Sequence, residues 1–162
     1  MVTFDASSQG EEPNPYEINA LGVLQLYGQF VDGNANSTLA IVSSEALSSR
    51  ARAALEASAE RLGHRVDSCA WVTLGEAGEP SNLVLGAHDL LTLLEGLDPS
   101  AIIATDATAA SLVSSAYETS MKMDAANRAA CRTVVALSSF ETALDDDDAK
   151  QRAWAALKKI AR

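Results

Sequence analysis

The sequence predicts an α/β domain: an open, mostly parallel sheet of at least four strands with helices on both faces. Three observations predict it. Short apolar runs with β-branched residues recur four times along the chain. Helical periodicity follows each run, and that alternation builds a parallel sheet covered on both sides. The runs are continuously apolar, as strands buried on both faces are.

The elements follow in order. Met1 to Pro15 is polar, carries Pro13 and Pro15, and reads as a loose N-terminal arm. Residues 16–162 then read as a single domain. Tyr16 to Phe30 has helical spacing through Ala20, Leu21, Leu24, Tyr27 and Val31. Val31 to Ser37, with Gly33 and two Asn, reads as a loop. Thr38–Ser43 (TLAIVS) is the first expected strand. A helix from Glu45 to Leu62 follows, with Leu47, Ala51, Ala54, Leu55, Ser58 and Leu62 on one face and Gly63 at its C-terminal stop. Cys69–Leu74 (CAWVTL) is the second strand, and Glu76–Asn82 is a turn-rich loop.

Ala87–Glu95 is expected as a short helix with Leu90, Leu91 and Leu94 inward, stopped by Gly96 and Pro99. Ala101–Thr105 (AIIAT) is the third strand, and Ala107–Tyr117 a helix that Asp106 caps. Glu118–Ala130 reads as partly helical. Arg132–Leu137 (RTVVAL) is the fourth strand. The last helix runs from near Asp147 to Ala161, with Asp145–Asp148 at its positive end. On that helix Trp154 and Leu157 are expected buried and Ile160 partly so.

Composition excludes several classes. The chain has 162 residues, enough for one hydrophobic core. Cys69 and Cys131 are its only cysteines, too few for a disulfide framework or a four-ligand zinc site, and both read as reduced, buried thiols. No apolar run approaches the ~18 residues that span a bilayer. The first cation is Arg50, so no basic leader region precedes an apolar one, and the expected compartment is the cytoplasm. Net charge is −10, a surface that repels phosphate, so direct nucleic-acid binding is not expected. Five of the twelve cations (Lys150, Arg152, Lys158, Lys159 and Arg162) lie in the last helix.

In open parallel sheets, ligands sit at the carboxyl ends of the strands. Those ends present Ser43, Ser44, Glu45, Thr73, Thr105, Asp106, Ser138 and Ser139 as candidate pocket residues. Glu45 and Asp106 are a possible acid/base pair. The simpler reading makes them helix caps and first-turn anions. No glycine-rich phosphate loop and no nucleophile elbow is present. His64 and His88 stand alone, without metal-ligand spacing, and read as surface or capping residues. No cofactor or metal is expected.

The stretch Asp89–Val113 (DLLTLLEGLDPSAIIATDATAASLV) resembles the uracil-DNA glycosylase superfamily, in particular its iron–sulfur type. There a helix, an Ile-x-Pro turn, an apolar strand and a Gly-x-x-Ala-Ala helix follow in that order. Pro99, Ile102, Ile103, Ala109 and Ala110 keep the pattern, with Asp106 in place of Gly. Lys150, Trp154 and Leu157 keep the spacing of the family's final segment, and Ala51–Gly63 is similar to its helix ending in Gly. The resemblance spans Thr38 to Ile160 and implies a uracil-DNA glycosylase-like fold.

The catalytic motifs depart from it. The family's water-positioning loop after strand one is replaced by Ser43-Ser44-Glu45-Ala46-Leu47. Its His-Pro-Ser is replaced by Ser139-Phe140-Glu141. Its four cluster cysteines have no counterpart. The resemblance therefore implies a fold stripped of catalysis, as in the psi subunit of the bacterial polymerase III clamp loader, where an N-terminal segment docks on a partner. The first expectation is a non-catalytic binding module, with a replication or repair assembly as its setting. A divergent enzyme acting on a small nucleoside-like ligand is the alternative, and a dimeric structural protein the third. The expected partner is a protein or a second copy, met through Leu21, Leu24 and Tyr27 of the N-terminal helix.

Overall fold

A computed structural model describes residues 20–65, 67–75 and 84–161. The expected N-terminal arm, the first turn of the N-terminal helix and the loop at Glu76–Asn82 lie outside them. Six strands form one sheet: β1 Val31–Gly33, β2 Leu39–Ser43, β3 Cys69–Thr73, β4 Ala101–Ala104, β5 Ala125–Ala129 and β6 Arg132–Ala136. Their spatial order is β1-β3-β2-β4-β6-β5. The four central strands are mutually parallel and correspond to the four apolar runs. Both edge strands are antiparallel additions.

Among the described residues six α-helices accompany the sheet: α1 Ala20–Tyr27, α2 Ser49–Arg61, α3 Ala87–Leu97, α4 Ala107–Ala116, α5 Phe140–Ala143 and α6 Asp147–Leu157. None among the described residues is long and apolar enough to cross a membrane. Side chains alternate across the strands and divide the core in two. Ala40, Val42, Val72, Ile102 and Val134 face α1, α3 and α4. Leu39, Ile41, Trp71, Ile103 and Val135 face α2 and α6. The helices thus cover both faces, as the strand pattern requires.

Several boundaries differ from the sequence reading. Val31–Gly33 is edge strand β1, not loop; its Gly33, at φ 90°, lies so close to Cys69 that a Cβ would meet that carbonyl oxygen at 2.5 Å. Within Glu118–Ala130 the structure places strand β5 rather than helix, paired with β6 from Ala125↔Ala136 to Ala129↔Arg132. α2 begins at Ser49, not Glu45, because Ser48 is the cap: its hydroxyl accepts the Ala51 N–H at 3.1 Å.

α3 does not stop at Gly96. It runs to Leu97 and ends where Asp98 turns to φ 53°. Gly96 is a packing position: a Cβ there would meet Val23 Cγ1 of α1 at 2.2 Å. The last helix gives way to a 3₁₀ turn at Lys158–Ile160. Trp154 is half-buried rather than buried, whereas Leu157 and Ile160 are both buried. His64 is no surface residue. It is 4% exposed, its Nε2–H donates to the Ile160 carbonyl and its Nδ1 meets the Thr38 hydroxyl, both at 2.9 Å. The donor role at Nε2 follows because a carbonyl can only accept.

Two predictions follow from this packing. Alanine in place of an exposed helical glycine usually stabilises by ~1 kcal/mol. Gly96→Ala should instead destabilise by ~1–3 kcal/mol through overpacking against Val23. In a Val23→Ala background the same change should stabilise, and urea unfolding of the four-member cycle measures the coupling. A stabilising Gly96→Ala in the wild-type background would contradict the α1–α3 crossing. In the two-residue β5–β6 turn, Ala130 and Cys131 sit at φ 47° and 67°, the mirror-type turn that favours Asn-Gly. Ala130→Asn with Cys131→Gly should raise stability by ~1–2 kcal/mol, read as a higher urea midpoint with an unchanged slope.

Candidate functional site

The central order places β2 beside both β3 and β4, so chain direction away from β2 reverses there. That is the switch point at which open sheets bind ligands, beyond the carboxyl ends of β2 and β4. Five of the candidates meet at or beside it. Ser43 ends β2 and is buried; Ser44 follows it; Thr105 and Asp106 follow β4; Ser139 forms a single antiparallel bridge with Asp106. Thr73 ends β3 opposite Ser43 and is half-buried.

Asp106 organises this group. Its Oδ1 accepts the Ala109 N–H at 2.8 Å and so caps α4. Its Oδ2 accepts the Ser44 N–H at 2.9 Å. The Thr105 hydroxyl lies 3.0 Å from Ser43 Oγ, 3.3 Å from the Val42 carbonyl and 3.4 Å from Asp106 Oδ2. Its single proton is shared among these acceptors. Neighbouring backbone bonds tighten the same seam: Ala107 N–H to the Ser138 carbonyl at 3.0 Å, and Phe140 N–H to the Thr105 carbonyl at 2.8 Å.

The remaining candidates are spent nearby. Ser138 donates its hydroxyl to Asp124 Oδ2 at 2.6 Å and its N–H to Oδ1 at 3.0 Å. Ser139 Oγ accepts the Thr142 N–H at 3.3 Å and caps the short α5. Glu45 is exposed between β2 and α2, and no hydrogen bond or ion pair joins it to Asp106.

A contact that sequence reasoning missed lies between the two segments that follow the first and last parallel strands. Glu141 accepts the Ser48 N–H at 2.7 Å and the Ser48 hydroxyl at 2.9 Å. A Ser before an apolar helical face was a legible cap signal; its bond to a carboxylate 93 positions away was not. Asp124, which holds Ser138, was likewise hidden inside a stretch expected to be helical.

Beside the seam, on the α4 side, lies an open groove of about 530 Å³. Leu74, Leu85 and Leu112 supply its apolar walls, and Ser44, Thr108 and Ser111 hydroxyl groups. No Asp, Glu, His, Lys or Arg among the described residues lines it. No three His, Cys, Asp or Glu side chains among the described residues are grouped so as to hold a metal ion. Of the cysteines, Cys69 is buried in β3, and burial pushes its thiol up to about 11, so it is protonated near neutral pH. Cys131, expected buried, is exposed, because it sits on the β5–β6 hairpin turn.

No protein-family model and no curated protein matches this sequence.

Asp106→Ala removes a helix cap worth ~0.5–2 kcal/mol and strands the Ser44 N–H, which costs a further ~1–3 kcal/mol. The expected loss is ~2–4 kcal/mol in urea unfolding. Asp106→Asn should lose less, since one oxygen remains to cap α4. A loss under ~0.5 kcal/mol for the alanine variant, the level of an ordinary surface change, would show that Asp106 does not tie these segments together.

Proposed function

We propose that this chain is a non-catalytic binding module of the uracil-DNA glycosylase-like fold, working through protein contacts, with a replication or repair assembly as its setting. The observation that carries the reading is the use of Asp106. A general base must be basic enough to take a proton from substrate, and hydrogen bonds to its charged form lower that basicity. Both Asp106 oxygens are engaged by backbone N–H groups of the chain itself. The contact between Ser48 and Glu141 supports the reading further. By the resemblance, the segments after the first and last parallel strands would carry catalysis; here they bond each other. A carboxylate at that place repels an anionic leaving group instead of stabilising it. The net charge of −10 weighs against a DNA surface.

A second reading, a divergent enzyme for a small nucleoside-like ligand, draws on the groove beside Ser44 and Thr108. Its size falls in the range of small-molecule sites, ~300–1,000 Å³. Its lining favours binding over acid/base chemistry, because among the described residues it offers hydroxyls and no titratable group.

Turnover on uracil-containing single- and double-stranded DNA tests the first reading. The expected result is no excision above the buffer rate, and duplex affinity at physiological salt weaker than ~10⁻⁶ M. Excision or nucleoside hydrolysis that disappears in Glu45→Gln or Asp106→Asn would overturn it and establish the enzyme.

A further inference from the structure

On the other face of the molecule, α2 and α6 do not close on one another. Between them is a groove of about 340 Å³. Its floor and walls are apolar: Ala54 and Ala57 from α2, Leu144 from the turn after α5, and Trp154 and Leu157 from α6. Arg61 and Lys150 also line it, and Lys158 lies 5.9 Å from the centre of the Trp154 ring.

These cations are the informative feature. All three are exposed, and none forms an ion pair among the described residues. Arg65, Lys122, Arg128, Arg152 and Lys159 share that lack of an ion pair, so the distinction lies in the lining itself, which holds Arg61 and Lys150 and no Asp or Glu among the described residues. In a chain with 22 acidic and 12 basic residues, an apolar groove lined by two cations and no acid among the described residues stands out. α6 also gives the groove a direction, from the aspartates at its first turn to Lys158 and Lys159 at its end.

We propose that this groove docks an acidic peptide segment of a partner protein, seated by one large aliphatic or aromatic side chain. The inference rests on the binding-module reading above and names its surface. The volume lies at the low end for a ligand site and suits a side-chain anchor, not a whole nucleotide chain. Exposed ion pairs contribute only ~0.2–1 kcal/mol each. Affinity therefore comes from burial of the anchor against Leu144, Trp154 and Leu157. The cations choose the sign of the partner and speed its capture. The acidic flank of the peptide lies toward Arg61 and Lys158, away from the aspartate run. Nucleic acid is the weaker fit: it is charged along its whole length and would meet the aspartate run as well, whereas a peptide can confine its acids to the end at Arg61 and Lys158 and supply an apolar anchor.

The test uses the full chain and a fluorescein-labelled synthetic peptide in which Asp and Glu flank a Leu-Phe pair. Anisotropy should show saturable binding that weakens with added salt. Arg61→Glu combined with Lys150→Glu should weaken it at least tenfold. Ala57→Phe, which fills the groove from an exposed position, should do the same, with circular dichroism and the urea midpoint confirming that both variants fold. A peptide with Lys in place of its acids, or with Ser in place of Leu-Phe, should not bind. Binding indifferent to both variants would overturn the proposal, as would displacement by oligothymidylate. Sedimentation showing a dimer that the Arg61/Lys150 reversal dissociates would overturn it too, by giving the groove to a second copy. Peptide failure leaves excision assays unchanged, so loss of this site and loss of the non-catalytic reading are separate results.

Discussion

The carboxylate of Asp106 is the constraint on which the strand-end architecture depends. Parallel strands leave unpaired backbone groups at their carboxyl ends, and a helix start leaves unpaired N–H groups. Asp106 stands where both demands meet. One oxygen satisfies α4, and the other satisfies the chain leaving β2. The bridge from Asp106 to Ser139 then brings the segment after β6 into the same seam. One residue thereby joins the chain beyond three neighbouring strands, β2 and β4 through its side chain and β6 through its backbone. The same two N–H bonds favour the charged carboxylate over its protonated form, which weighs against its use as a base.

A second lock holds the opposite end of the sheet. Arg132, which begins β6, makes a bidentate pair with Glu95 at 3.0 and 2.9 Å, and its remaining nitrogen reaches Asp98 at 3.0 Å and the Pro99 carbonyl. Tyr117 donates to Glu95 at 2.8 Å, so α3, α4 and the β5–β6 hairpin share one buried network. Burial opposes the Arg132 charge, but its hydrogen bonds to Glu95 and Asp98 outweigh that and hold it above the ordinary arginine range. Burial, then the Glu95 contact, raises the Tyr117 phenol. A raised acid favours the folded state while it stays protonated. That contribution is present below the ordinary phenol pKa of ~10 and is lost as pH rises beyond it. The pair is more a specifier than a source of net stability. Removing one partner strands a buried charge at ~3–5 kcal/mol, whereas the intact pair gains little over apolar packing.

How much of this was legible follows from which force shapes each element. The four central strands are buried on both faces, so hydrophobicity alone marks them, and all four fall where the apolar runs stand. The Asp106 cap was legible because capping is local. β5 was not: Ala125–Ala129 has weak strand propensity, and its turn uses Ala130 and Cys131 at positive φ where Asn-Gly would have signalled a hairpin. Gly96 looked like a stop because glycine ends helices more often than it packs them; only the crossing of α1 reveals its role. Trp154 suggested core by its size. Its half-exposure arises because α2 and α6 stand apart beside it, and Arg61 covers its ring at 5.1 Å. The bond between Ser48 and Glu141, and the seam around Asp106 as a whole, are tertiary and leave no trace in spacing.

The N-terminal helix shows how burial redistributes the available surface. Leu21, Leu24 and Tyr27 were the expected partner face. In the structure Val23 is wholly buried against Gly96, Phe30 enters the same core, and Tyr27 donates to Asp89 at 3.0 Å. Leu24 is half-buried, while Leu21 and Leu26 remain 68% and 42% exposed. An element that supplies core on one side cannot leave the sheet to dock elsewhere without exposing Val23 and Phe30. Among its described residues, Leu21 and Leu26 are the large apolar side chains it leaves exposed. The groove between α2 and α6 is different in kind. It is concave, its apolar walls are already in place, and its lining holds no acidic side chain among the described residues. A preformed apolar recess costs little ordering to occupy. Isolated leucines on a helix edge need a partner shaped to meet them. On physical grounds the two helix faces are therefore unequal: α1 chiefly completes the core, and α2 with α6 present the better-built surface.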